Sequence, residues 1–424
     1  MKHIHNEKFQ ESYMEETLDN GLKVVVWQKP EFSNSQFILA TPYGALDFNQ
    51  KSAEKLYPFP SGIAHFLEHK MFEMDGLDVM EAFANLGANV NAFTSYNETM
   101  YYFSSSNKDL NKEVNLLLDF VQELSITEES VEKEKGIIVQ ELNMYLQMPD
   151  TRLLFETFKS LFHTHPLSND IGGDEQSVMN TTLDDLVNCH RLNYHPSKMI
   201  LFATTALEPK CVIDVISENQ KNKSFGEYTE VNRVSSDEPQ TVCRKLHTLE
   251  MDITNEKTSI AYKLPVWKLD IKERLKLEWC FKFLLEMHFS TLNPNYQSWL
   301  DSGVINEFFG FEIDLGIDYG FLLFYSETTE AEFSKFITSE LDVLMNNIVN
   351  EKTIEQIKRR LYGSGMRMFN GIDKIGFSYI RCYFNGLDVF ESLELIDDIT
   401  VDDVLKSKDM LDLSNKCITV IKPH

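Results

Sequence analysis

His65, Glu68 and His69, within His65-Phe-Leu-Glu-His69, are the side chains of this sequence best suited to do chemistry. On a helix of about 3.6 residues per turn, positions i and i+4 lie almost above one another, so both imidazoles can reach one ion. Glu68 points the same way and is placed to act on a water held by the ion. A hydrolytic zinc site needs that division of labour. Gly62 ahead of the run, with the apolar Ile63, Phe66 and Leu67, predicts a helix whose other side is buried.

A catalytic zinc keeps three protein ligands and one open position, so His65 and His69 need a partner from elsewhere in the chain. Residues 131–145 read as an amphipathic helix, with Glu134 and Glu141 two turns apart on one face. This spacing suits a ligand with a supporting carboxylate, and it also suits a solvated acidic face.

His-x-x-Glu-His followed about seventy residues later by Glu-x6-Glu resembles the inverted zincins of the pitrilysin, insulysin and mitochondrial processing peptidase family. Further matches follow in order over roughly the first 210 residues. They are residues 17–30 with the Asn20-Gly21 turn, the small-residue stretch 41–47, the Asn91-Ala92-Phe93-Thr94 strand, the His165-Pro166 to Gly173 segment, and the Tyr-x-Pro-x-x-Met strand from Tyr194. The resemblance implies one zinc ion held by His65, His69 and Glu141, Glu68 as general base, and Glu134 as a supporting carboxylate. Zinc lowers the pKa of a bound water from roughly 15.7 to about 7, and Glu68 would relay its proton to the departing amine. A His2Glu site also accepts manganese or cobalt. Asn91, Ala92, Phe93 and Thr94 would border the site on a strand to which an extended peptide substrate adds, although Val90, Ala92 and Phe93 also suit core packing.

The elements that must position these groups suggest an α+β fold in two similar halves, each a mainly antiparallel sheet with helices on one face. The expected division is a zinc-site domain over 1–216, a polar linker over 217–240, and a similar domain without metal over 241–424. Strands at 22–27 and 37–40 and helices at 79–86, 110–124 and 183–192 build the first half. Strands at 257–264 and 319–326 and helices at 271–289 and 330–349 repeat the order. In the second half Glu286 and His288 face different directions and read as structural.

The 424 residues exceed one compact core. A charge of −26, from 66 acids against 40 bases, argues against nucleic acid as partner; such a surface mainly keeps a protein apart from its neighbours, with attraction of cationic peptides as the alternative. No apolar run approaches the roughly 20 residues of a membrane span, and the polar start lacks a signal-peptide core. With six scattered cysteines and no Cys-x-x-Cys pair, the expected compartment is cytoplasmic.

One departure from the family pattern stands out. Active members or their partners carry an Arg and a Tyr seven residues apart that hold substrate and stabilise the oxyanion, and here Trp299 and Asn306 occupy those positions. Tyr319, Tyr325, Arg359, Arg360, Arg367 and Arg381 are the residues that could substitute. The resemblance therefore implies a zinc endopeptidase subunit cleaving peptides or flexible segments in an enclosed chamber, paired with a similar metal-free chain that carries the Arg and Tyr. A homodimer, a non-catalytic scaffold, or an accessory member in a maturation or modification pathway are the alternatives.

Overall fold

Gln36-Phe-Ile-Leu-Ala40 shows no polar alternation, the pattern of a strand buried on both faces. In the computed structural model, which describes every residue except Asp75 and Ile348, Ser35–Thr41 is buried throughout and lies inside a seven-stranded sheet. The order across that sheet is Lys2–Asn6, Glu11–Thr17, Lys23–Gln28, Ile200–Thr205, Ser35–Thr41, Thr99–Ser105 and Ala88–Thr94. Neighbours run antiparallel, except that Ile200–Thr205 pairs parallel with Lys23–Gln28. Ala88–Thr94 is an edge strand.

A five-stranded sheet repeats this plan in the order Leu246–Met251, Lys416–Pro423, Lys257–Lys263, Gly320–Ser326 and Gly310–Leu315. Its parallel pair, Leu246–Met251 with Lys416–Pro423, stands where the first sheet has its own. The protein thus consists of two α+β halves built alike.

The two compact units are not the linear blocks 1–216 and 241–424. One comprises Met1–Asn143, Asp170–Val234 and Met366–Val389, and the other Met144–Asn169, Ser235–Gly365 and Phe390–His424. The cause is that each sheet is covered on both faces. Phe37 and Leu39 join the core under the main helical layer, so the alternate residues Ile38 and Phe202 need cover of their own. Helix Ile372–Phe384 supplies it, and a Cβ on Gly376 would lie 2.5 Å from Ile38. Helix Pro149–Leu161 packs in the same way on Lys257–Lys263 and Lys416–Pro423.

The polar stretch 217–240 is partly structured. Helix Pro209–Lys221 runs into it, and Val231–Arg233 pairs with Asn49–Ser52. Near its end, Glu238 accepts hydrogen bonds from the backbone amides of His163, Thr164 and His165 at 2.9, 2.7 and 2.7 Å, and from Lys263. Burial alone would raise this carboxyl, but Lys263 and the three amides outweigh it and hold the pKa at about 2. A depressed carboxyl stabilises the fold above its unfolded value of 4.5 and loses that contribution as pH falls toward 2. Glu238→Gln is therefore expected to lower stability by about 1–3 kcal/mol at pH 7. In chemical denaturation, the gap to the parent should narrow once the pH drops below 4.5.

Candidate metal centre

The motif helix is Ile63–Met71, and its first turn depends on glycine. Gly62 has φ +83°, and a Cβ there would lie 2.1 Å from the Gly172 carbonyl oxygen. Gly173, at φ +82°, lies equally close to Ser61. These contacts let residues 170–173 back directly onto His65, whose Nδ1 would be 3.3 Å from a Cβ on Gly172. Ile63, Ala64, Phe66, Leu67 and Met71 are buried, which leaves His65, Glu68 and His69 on the opposite, half-buried face. The two imidazole centroids are 4.6 Å apart.

Helix Glu128–Leu146 is anchored by Val131, Ile138 and Leu142 and brings Glu134 and Glu141 to the same histidines. Glu141 Oε2 lies 3.2 Å from His69 Nε2 and 3.9 Å from His65 Nε2. Ligand atoms of His65, His69 and Glu141 fall within 4.8 Å of one another, the one such metal-capable group among the described residues. Two imidazole nitrogens and a carboxylate oxygen are the donor set that zinc accepts, so these residues fit the ion.

Glu134 Oε1 lies 3.1 Å from His69 Nδ1. A proton on Nδ1 donated to this carboxylate leaves Nε2 as the ligand atom. The other oxygen of Glu134 is 3.6 Å from the ammonium of Lys70, a buried residue that also pairs with Glu73 at 2.5 Å and donates to the Ser130 carbonyl. Sequence reasoning passed over Lys70, because its value comes from a helix sixty residues away.

Charge in the cluster is unevenly shared. Burial holds His65 down at about 4. Burial also opposes a charge on His69, but hydrogen bonds to Glu134 and Glu141 win and lift it to about 9. Glu68 is pushed up by burial even though it accepts a 2.7 Å hydrogen bond from the Thr94 hydroxyl. Glu134 is held low, mainly by its bond to His69.

Of the strand residues singled out above, Thr94 is engaged by Glu68. Phe93 packs against Tyr102 and Phe377, and Asn91 is exposed with its side chain on the Ala92 amide at 2.8 Å. The second half has no equivalent cluster among the described residues. Glu286 pairs with Arg360 at 2.5 Å, and His288 is buried against Glu340 and Trp299. Trp299 is itself buried core, and Asn306 bridges the Glu327 carbonyl and the Phe308 amide. Tyr319 donates to Asp314, Tyr325 packs on Phe308, and Arg359 and Arg367 are exposed. No helix among the described residues is long and apolar enough to cross a membrane.

Comparison with known proteins agrees with this geometry. Residues 58–175 match the family model "Insulinase (Peptidase family M16)", and residues 180–361 match "Peptidase M16 inactive domain". The chain is 34% identical over 407 residues to the uncharacterized zinc protease YmfH of Bacillus subtilis (strain 168), covering 95% of each. It is 24% identical over 213 residues to a probable mitochondrial-processing peptidase subunit beta of Arabidopsis thaliana, spanning 49% of this chain and 40% of that one. The crystal structure of an M16-like peptidase from Alicyclobacillus acidocaldarius superposes with a TM-score of 0.92 at 28% identity, covering 97% of this chain and 98% of that one. With its two similar halves and a His-His-Glu cluster in the first, this chain belongs to the insulinase family of peptidases, peptidase family M16.

Proposed function

We propose that this chain is the zinc-bearing catalytic subunit of an endopeptidase acting on peptides or flexible polypeptide segments, with one zinc ion held by His65, His69 and Glu141. The observation that carries this reading is Glu68. It is no member of the three-donor cluster, yet it shares the helix face of His65 and His69 and has its carboxylate held by Thr94 at 2.7 Å. Bound zinc would supply a Lewis acid that brings the pKa of water to about 7. Glu68 receives the proton from the attacking water, a task favoured by burial that raises its basicity. It then delivers that proton to the leaving amine nitrogen. Glu134 keeps the Nδ1 proton of His69 in place throughout. The edge strand Ala88–Thr94 offers main-chain groups to an extended substrate.

Oxyanion stabilisation needs a further donor. Trp299 and Asn306 are committed to packing and loop bonding, which supports supply of the Arg and Tyr by a similar metal-free chain in a heterodimer that encloses a chamber. A cytoplasmic setting accords with the absence of a membrane-spanning helix among the described residues. The test is hydrolysis of an unstructured basic peptide by the zinc-loaded chain, alone and with a metal-free relative carrying the Arg and Tyr. The expected result is one zinc per chain in both cases and a large gain in turnover with the partner. Equal turnover without it overturns the heterodimer, and zinc binding without hydrolysis in either case favours the accessory role.

A further inference from the structure

The contact between Thr94 and Glu68 depends on a turn held from two sequence-remote places. Thr94 ends the edge strand, and residues 95–98 turn the chain into Thr99–Ser105. The turn closes on itself through the Ser95 amide, which donates to the Glu98 carbonyl at 2.8 Å. On one side it rests on residues 44–47. Ala45 and Leu46 donate their amides to the carbonyls of Ser95 and Tyr96 at 2.9 and 3.0 Å, and Gly44 sits so close that a Cβ would meet both carbonyl oxygens within 2.6 Å.

Arg233 locks these two pieces together. Its Nε donates to Asp47 Oδ1 at 2.8 Å, and its Nη2 donates to Asn97 Oδ1 at 2.9 Å. Asp47 is in turn tied to the Gly44 amide at 2.9 Å. Arg233 comes from Val231–Arg233, the short strand inside the polar stretch between the halves, and is fixed there by pairing with Gln50. From the opposite side Arg381, on helix Ile372–Phe384, donates to the buried Glu98 carboxylate at 3.1 Å and lies 5.9 Å above the Phe93 ring. The two guanidiniums therefore grip consecutive residues of one four-residue turn, whose first neighbour is the hydroxyl that orients the proposed base.

We propose that Arg233 and Arg381 are positioning residues for Glu68, acting through the 95–98 turn and Thr94. The inference rests on the peptidase reading for its effect on rate but not for its structural part. A side chain carried by a loop is only as well placed as the loop, and displacements near 1 Å at a reacting group cost about a hundredfold in rate. Lysine cannot replace Arg233, because two separate acceptors are met by two nitrogens of one planar group.

The experiment is a double-mutant cycle on the zinc-loaded protein with its partner present. Arg233→Gln and Thr94→Val should each lower kcat by about ten- to a hundredfold with KM little changed. Their combination should fall no further than the larger single effect. Effects that multiply would overturn the proposal, since they place Arg233 outside the Thr94 path. Asn97→Ala, which removes only the turn end of the contact, guards against a folding defect in Arg233→Gln and should reproduce its loss. Arg381→Gln should do likewise, with zinc content unchanged in every variant. Hydrogen exchange at the amides of Ser95, Ala45 and Leu46 reads the clamp without any assay of hydrolysis. It should accelerate in Arg233→Gln and Asn97→Ala, and unchanged exchange would sink the clamp. An inactive parent with accelerated exchange in the variants would instead show that the peptidase reading has failed while the clamp stands.

Discussion

Glu68→Gln is expected to keep its zinc and to lose hydrolysis of unstructured peptides by about 10²–10⁴-fold. Glutamine has the same shape and can still accept the Thr94 hydroxyl through its carbonyl oxygen, so the 2.7 Å contact and the helix face survive. The three metal-capable groups are untouched, because Glu68 is not among them. What disappears is the ability to take a proton, since an amide oxygen is far less basic than a carboxylate raised by burial. Metal content by elemental analysis and kcat on one peptide, measured on the same preparation, decide the matter. Activity within twofold of the parent would refute Glu68 as the base, and loss of zinc would recast it as a ligand or a support.

The parts of this site that could be read in the sequence are those governed by helix period. His65, Glu68 and His69 sit within five residues, and Glu134 and Glu141 within two turns, so local geometry alone puts each set on one face. Which helix meets which is a long-range fact, and it entered only through family resemblance. Gly172 shows the limit. A Cβ there would lie 2.8 Å from Leu142 and 3.3 Å from His65 Nδ1, yet nothing in residues 170–173 names the histidine it approaches. Arg233 lay in a stretch whose polarity and mixed charge signal a linker, and composition cannot reveal that one of its cations meets Asp47 and Asn97. The sheets were legible where apolar residues run on without alternation, as in Phe37–Ala40 within Ser35–Thr41, a strand buried at every position. The exchange of helices Pro149–Leu161 and Ile372–Phe384 was not, because an amphipathic helix advertises that it must be covered and not by what.

His69→Ala is expected to leave the protein without stably bound zinc and therefore without activity, whereas Glu134→Gln should weaken zinc by about 10–100-fold. His69 is the hub of the cluster. Its Nε2 lies 3.2 Å from Glu141 and its Nδ1 lies 3.1 Å from Glu134, so alanine removes both a donor and the ring that two half-buried carboxylates meet. Glu134→Gln instead keeps every donor and removes only the charge that fixes the ring. The two variants separate further in their pH behaviour. In the metal-free protein His69 holds its proton up to about 9, so zinc must displace that proton at any lower pH, and parental affinity should rise by about tenfold per pH unit between about pH 6 and 8. Sharing the charge of Glu134 is part of what lifts His69, so Glu134→Gln should lower the pKa of His69 and flatten this slope. Competition titrations against a chelator at three pH values measure both quantities. A parental slope near zero would mean that His69 carries no proton for zinc to displace, and an unchanged slope in Glu134→Gln would remove Glu134 from the account of how His69 is held.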